Sequence, residues 1–217
     1  HDDHDDVVID GVYWTKTIPS LEENSVYDVY FLNFRNMDFV GSGNSLASYN
    51  NIGLRFNGQK GNFALESELT LQNSSGTSSK NDVSASLFSF NLGYKPYGID
   101  FLNSVSLGLD RISGDDSSTE TAEGFSKEFG ARHKHHGFYD YDLHKAYFGH
   151  DHDGLNEINA KANIDILKRT NLLVALHNFK SAVKDIYYGS EVNFIFKTKH
   201  NDEISSEIGS IFYFPDQ

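Results

Sequence analysis

Histidines and carboxylates are concentrated in one stretch of this chain, and such side chains bind metals or transfer protons. Six of the ten His residues and four Asp residues fall between positions 130 and 153, namely His133, His135, His136, His144, His150, His152, Asp140, Asp142, Asp151 and Asp153. Zinc needs three or four N, S or O donors that converge on one point. His150 and His152 have suitable neighbours, but the sequence around them shows no rigid framework such as a helical HExxH. We therefore expect no metal and no cofactor, with His150 and His152 as the alternative metal ligands.

The sequence contains none of the common catalytic motifs. It has no GxSxG, no Walker loop, no HExxH and no Cys residue that could act as a nucleophile. Asp115 and Asp116 follow Gly114, but adjacent carboxylates in such a polar stretch are typical of a solvated turn. We expect that the protein is not an enzyme.

Composition narrows the choice of partners. The net charge of −13 argues against nucleic-acid binding, which requires a basic surface.

No apolar run approaches the roughly 20 residues of a membrane-spanning helix. The 38 % of hydrophobic residues is nevertheless compatible with a transmembrane barrel, because half of each strand then faces water. The 17 Phe and 12 Tyr residues suit strands and the aromatic girdles of such barrels.

The elements that position these side chains are β-strands, since apolar and polar residues alternate along most of the chain. Residues 51–72 show this best, with two alternating runs joined by a turn at Gly58–Gly61. A second short turn is predicted at Leu167–Thr170. Alternation and turn residues predict ten strands, at about 7–17, 25–35, 49–57, 62–73, 82–94, 102–112, 156–166, 171–180, 186–199 and 203–214.

The strand pattern predicts an all-β fold, an antiparallel up-and-down transmembrane β-barrel. Most strands have about the 9–11 residues that cross a membrane, and short and long connections alternate. The longest connection is the His-rich loop at about 113–155, in which residues 119–129 could form a short helical turn. A soluble β-sandwich or lipocalin-like barrel is the alternative. In the membrane reading, one apolar side faces lipid and includes Ile52, Leu54, Phe56, Leu69, Leu71, Ile158, Ile164, Val192, Phe194 and Phe196.

Six phrases, in order and over nearly the whole chain, resemble the alginate-export family of outer-membrane β-barrel porins. They are VYDVYFLNFR at 26–35, NNIGLRFNGQKGNFALESELTL at 50–71, LGLDRISGDD at 107–116, HKHHGFYDY at 133–141, GLNEINAKANI at 154–164 and YYGSEVNFIFKTKHNDEISSEIGSIFYFP at 187–215. The resemblance implies a barrel in the Gram-negative outer membrane. It also implies passage of a polysaccharide, or of small hydrophilic solutes, through the lumen.

The family barrel is larger than this chain, which resembles its second half without the final strand. We therefore expect residues 1–217 to be a single, partial barrel domain. The alternative is that the ten strands close by themselves into a narrower barrel. Lipid does not tolerate an open sheet edge, because unpaired backbone groups there cost several kcal/mol each.

The resemblance also implies a pore lined by basic side chains that attract a polyuronate. The corresponding candidates for the lumen and for solute binding are Arg35, Arg55, Arg111, Lys161 and Lys197. Carboxylates such as Glu66 and Asp110 are predicted on the same faces and would weaken the field that steers an anion. Pairing of these charges for solvation and rigidity is the alternative role. A soluble or periplasmic β-barrel that binds a ligand is the alternative function.

Overall fold

The structure is a computed structural model, and it describes residues 7–21, 25–36, 48–74, 82–126, 136–138 and 152–215. Ten strands run through these residues. Their bounds are β1 Val7–Thr17, β2 Val26–Asn36, β3 Ser48–Lys60, β4 Phe63–Ser74, β5 Ser84–Tyr94, β6 Leu102–Ile112, β7 Leu155–Leu167, β8 Thr170–Lys180, β9 Tyr187–Lys199 and β10 Ser205–Pro215. The ten predicted strands are confirmed.

All ten strands form one antiparallel sheet in which each strand pairs with its neighbours in sequence, so the up-and-down order is confirmed. β1 and β10 are the two edge strands of the described sheet. Within the described part of the chain, no helix is long and apolar enough to span a membrane. Residues 119–126 form bends and a bridge between Val83 and Ala122 where the sequence favoured a helical turn at 119–129, of which residues 127–129 lie outside the described residues.

Connections of different length lie at opposite ends of the sheet. The strand ends joined by 2 to 8 residues, from β1 to β2, β3 to β4, β5 to β6, β7 to β8 and β9 to β10, form the short-turn end. The strand ends joined by 6 to 42 residues, from β2 to β3, β4 to β5, β6 to β7 and β8 to β9, form the long-loop end, and we call residues 113–154 the long loop. The turn expected at Gly58–Gly61 is wrong in position, because β3 continues to Lys60. The turn itself is Gly61-Asn62, and Gly61 has a positive φ of 57°.

Side chains alternate between two faces that differ in chemistry. The apolar face carries all ten side chains that the sequence placed together, and examples with high exposure are Leu54 at 55 % and Ile158 at 63 %. The polar face carries the side chains of Arg55, Glu66, Glu68, Asp110, Glu157, Asn159, Lys161, His177, Glu191 and Asn193. The polar face is the buried one, since Glu157, Glu191 and Asn193 are all 0 % exposed.

A small cluster of buried apolar side chains lies on the polar face at the long-loop end. Ile112, Leu155 and Phe179 from the strands pack there with Phe125 of the long loop. The Gln72 side-chain amide pairs with the backbone of Ser126, accepting from its N–H at 2.9 Å and donating to its carbonyl at 3.1 Å. The described part of this connection at Phe125 and Ser126 therefore lies over the polar face.

Candidate functional site

A buried carboxylate forms the centre of a hydrogen-bonded cluster at the long-loop end of the polar face. Glu157, two residues into β7, accepts from Nδ1 of His136 and from Nδ1 of His177, each at 2.7 Å. The side chain of Asn159 donates to the same carboxylate at 3.0 Å. Because a carboxylate only accepts hydrogen bonds, both Nδ1 atoms carry hydrogen. The cluster thus joins the long loop, through His136, to strands β7 and β8.

Strand register supplies the other carboxylate of this cluster. Asp110 of β6 lies directly opposite Glu157 in the antiparallel pair and is half-buried. Metal-binding atoms of Asp110, His136 and Glu157 all lie within 4.8 Å of one another. Two carboxylates so close together repel, and a buried charge is costly unless it is paired. Cationic or hydrogen-bonding groups must therefore offset them, and the imidazoles of His136 and His177 are placed to do so.

A second buried carboxylate holds the backbone of the long loop. Glu191 of β9 accepts from the backbone N–H of Phe138 at 2.7 Å. Gly137 has a φ of 80°, and a Cβ atom at this position would lie 2.5 Å from Oε1 of Glu191. Glycine therefore meets both requirements here, a positive φ and a close approach to the carboxylate. Residues 136–138, which we call the His-Gly-Phe segment, are fixed to the polar face at two points.

His152 ties two parts of the long loop together. Its Nδ1 accepts from the backbone N–H of Gly154 at 3.0 Å, so Nε2 carries the hydrogen and donates to the Phe125 carbonyl at 2.8 Å. Burial lowers the pKa of this imidazole below its ordinary value, which favours the neutral form. Both ring nitrogens are engaged in hydrogen bonds in this arrangement, and the alternative that made His150 and His152 metal ligands stays a prediction. His150 lies outside the described residues.

Three of the five predicted lumen residues lie on the polar face, namely Arg55, Lys161 and Lys197. Arg55 forms an ion pair with Glu66 at 2.8 Å. Lys197 forms one with Glu207 at 3.0 Å. These two contacts fit the alternative in which charges pair across strands, and they are partly exposed to solvent.

The other two predicted lumen residues, Arg35 and Arg111, lie on the opposite face, so their placement in the lumen is wrong. Arg111 follows Asp110 directly, and adjacent residues of a strand point to opposite sides. Asp110 faces the polar side, so Arg111 is opposite Phe88 on the apolar face. Arg35 of β2 likewise lies on the apolar face, where it forms an ion pair with Asp10. Both arginines are exposed near the long-loop end of the sheet.

Two residues of this cluster were named from the sequence: His136 as one of six histidines, and Asp110 only as a carboxylate that offsets the basic lumen candidates. Glu157, His177 and Glu191 carried no motif. A usable signal existed, because Glu157 and His177 both fall on the polar side of neighbouring predicted strands near the same end. The remaining histidines and Asp residues of the His-rich stretch, except His152 and Asp153, lie outside the described residues.

Comparison with models of known protein families and with curated proteins gave no match to this chain. The resemblance to the alginate-export family therefore stays a prediction.

Proposed function

We propose that this chain forms part of a bacterial outer-membrane β-barrel channel that passes small hydrophilic or saccharide solutes, as in alginate export. The observation that carries this proposal is the inverted burial of the sheet. A sheet of a water-soluble protein buries its apolar face, because burial of apolar surface drives folding. Here the buried face holds Glu157, Glu191 and Gln72, each 0 % exposed.

The exposed apolar face supports a lipid environment. Large apolar side chains on every part of the sheet are open to the surroundings, with Val12 at 70 %, Leu107 at 65 % and Ile208 at 71 % exposure. Contiguous apolar surface of this extent marks a contact with protein or lipid. Strands of 11 to 13 residues are long enough to cross a bilayer when tilted. Alternating short and long connections are the habit of outer-membrane barrels.

Lipid imposes a requirement on the sheet edges. Because unpaired backbone groups in hydrocarbon cost several kcal/mol each, β1 and β10 must pair with each other or with further strands. In either arrangement the polar face lines the lumen. The proposed partners are outer-membrane lipid and a hydrophilic solute, with no role for nucleic acid or for catalysis.

The long loop supplies a constriction in this proposal. The His-Gly-Phe segment is held on the polar face by Glu157 and Glu191. Phe125 and Ser126 cover the polar face beside Gln72. In a closed barrel, loop residues held in this way would lie over the long-loop mouth of the lumen and limit the size of a passing solute.

Conductance and detergent dependence test the proposal together. We expect the untagged protein to require detergent or lipid for a monodisperse folded state, and to give discrete current steps in a planar bilayer. A folded, monodisperse protein in plain buffer would overturn the membrane assignment and favour a soluble or periplasmic ligand-binding barrel. Folded protein that inserts into the bilayer but never conducts would overturn the channel and leave a plugged barrel.

A further inference from the structure

We propose that Asp110, His136 and Glu157 form a binding site for one divalent transition-metal ion, with zinc as the reference ion. The inference rests on the cluster itself and holds whether or not the protein conducts. Its three ligand atoms lie within 4.8 Å of one another. One imidazole nitrogen and two carboxylate oxygens suit Zn²⁺ and related first-row ions, whereas Ca²⁺ and Mg²⁺ prefer oxygen alone.

The strands provide the rigid framework that the sequence around the histidines lacked. Asp110 and Glu157 are directly opposed residues of the antiparallel pair β6–β7, so their backbones are fixed relative to each other. His136 approaches from the long loop, and its Nδ1 is already 2.7 Å from Glu157 Oε2. Two ligands of one zinc ion lie only slightly farther apart than this, because each is about 2.0–2.2 Å from the metal. Coordination by Nδ1 requires that the hydrogen it now donates to Glu157 moves to Nε2 or leaves as a proton, and the metal ion then takes the place of this hydrogen between the two side chains.

An unsatisfied oxygen beside the cluster points independently to a missing ligand. Asn159 is 3 % exposed, and among the described residues its Oδ1 has no hydrogen-bond partner. Its Nδ2 contacts Glu157, while a Cβ atom on Gly108 would lie only 2.5 Å from the Oδ1. The Asn159 amide therefore lies against Gly108 of β6, two residues from Asp110 along the strand. A buried acceptor without a hydrogen bond is unfavourable, and a metal ion or its bound water would satisfy it.

Charge favours a cation at the same place. Two carboxylates come together here, that of Asp110, which is half-buried, and that of Glu157, which is 0 % exposed. His177 donates to Glu157 from the other side and would orient this ligand, as a hydrogen-bonded neighbour commonly does at a metal site. A bound ion would also fasten the long loop to the sheet, because His136 belongs to the loop and the carboxylates belong to strands.

Metal titration of the full chain without a His tag, folded in detergent, tests the site. We expect saturable uptake of one Zn²⁺ per chain by calorimetry, and a visible Co²⁺ spectrum of four- or five-coordinate type. Asp110→Asn and His136→Gln should each weaken Zn²⁺ binding at least about tenfold, since loss of even an outer-shell partner costs 10–100-fold. The matched controls are His150→Gln, which tests the His-rich alternative, and His200→Gln, at the short-turn end, where the His200 ring contacts Ser206.

Each outcome decides the proposal. Loss of binding in Asp110→Asn and His136→Gln, with binding kept in both controls, supports it. Absence of one-to-one uptake by folded protein would overturn it, as would uptake that survives both ligand substitutions. If a ligand variant does not fold, the wild-type Co²⁺ spectrum decides: a low-coordinate spectrum that EDTA abolishes supports the site, and the spectrum of hexaaqua Co²⁺ overturns it.

Discussion

Gly137 lies against the carboxylate of Glu191, so close that a Cβ atom on residue 137 would lie 2.5 Å from Oε1. The same carboxylate accepts the backbone N–H of the next residue, Phe138, at 2.7 Å. The loop backbone thus reaches a fully buried strand side chain with no space for a side chain of its own. This contact fixes how near the long loop comes to the polar face.

Gly137→Ala should release the His-Gly-Phe segment from the sheet. The matched control is Gly98→Ala, because Gly98 has a similar φ of 76° but nothing within 4 Å of its Cβ position. Backbone strain of about 1–3 kcal/mol affects both variants, whereas the collision with Glu191 affects only the first. We expect faster proteolysis or hydrogen exchange at residues 136–138 in Gly137→Ala alone. Equal behaviour of the two variants would show that the close approach is unimportant.

Glu157→Gln should destabilise the protein, because an amide cannot accept from both imidazoles as the carboxylate does. One buried N–H is left unsatisfied, at a cost of about 1–3 kcal/mol in the free energy of unfolding. The matched control is Glu207→Gln, since Glu207 forms an exposed pair with Lys197 and such pairs contribute about 0–1 kcal/mol. Denaturant unfolding in detergent measures both. A loss at Glu157 no greater than that at Glu207 would contradict the central role of this carboxylate.

The strands were predictable from sequence because their signal is local. Alternation of apolar and polar residues gave β4 as 62–73, against Phe63–Ser74 in the structure. Alternation also predicted which apolar side chains lie on one common face. The assignment of side chains to a face failed at Arg111, because a shift of one residue along a strand moves a side chain to the other face. Arg111 therefore cannot share a face with the adjacent Asp110. At Gly58 the glycine suggested a turn, but the strand continues for two more residues.

The cluster was not predictable in the same way, because its contacts join residues far apart in sequence. His136 and His177 are each about 20 positions from Glu157, and Asp110 meets it only through the register of β6 and β7. The local density of histidines favoured His150 and His152, which are two positions apart. The strand that carries Glu157 shows only its regular alternation. Register, and not composition, brings these side chains together.

The neutral form of His152 predicts a pH dependence of stability. Its folded-state pKa lies below the ordinary value of about 6.5, because burial disfavours the imidazolium. The unfolded chain therefore binds the proton more readily, so the stabilisation is complete above pH of about 6.5 and is lost as pH falls towards the folded-state pKa. We expect the free energy of unfolding to fall less steeply with acidification in His152→Gln than in wild type. His200→Gln, which removes an exposed imidazole, should retain the wild-type slope.

The orientation of the two faces predicts unequal costs of added charge. Leu54→Arg puts a cation on the apolar face and should cost about 2–4 kcal/mol near the bilayer midplane. Asn57→Arg, on the same strand but at an exposed position of the polar face, should cost little. Folding into lipid vesicles, followed by unfolding in denaturant, gives both values. A larger cost for Asn57→Arg would place water, and not lipid, against the apolar face.

Lumen charge predicts the ion preference of the proposed channel. Joint replacement of Arg55, Lys161 and Lys197 by Gln removes three cations from the polar face. It leaves Glu66 and Glu207 without their partners, so the lumen becomes more negative. We expect the reversal potential in a salt gradient to shift towards cation selectivity. The shift should fade at high ionic strength, because salt screens charges over about 8–10 Å at physiological concentration.

Arg111→Gln is the control, since this arginine lies on the apolar face. An unchanged reversal potential in the triple variant, or an equal shift in Arg111→Gln, would assign these side chains to cross-strand pairing instead of selectivity.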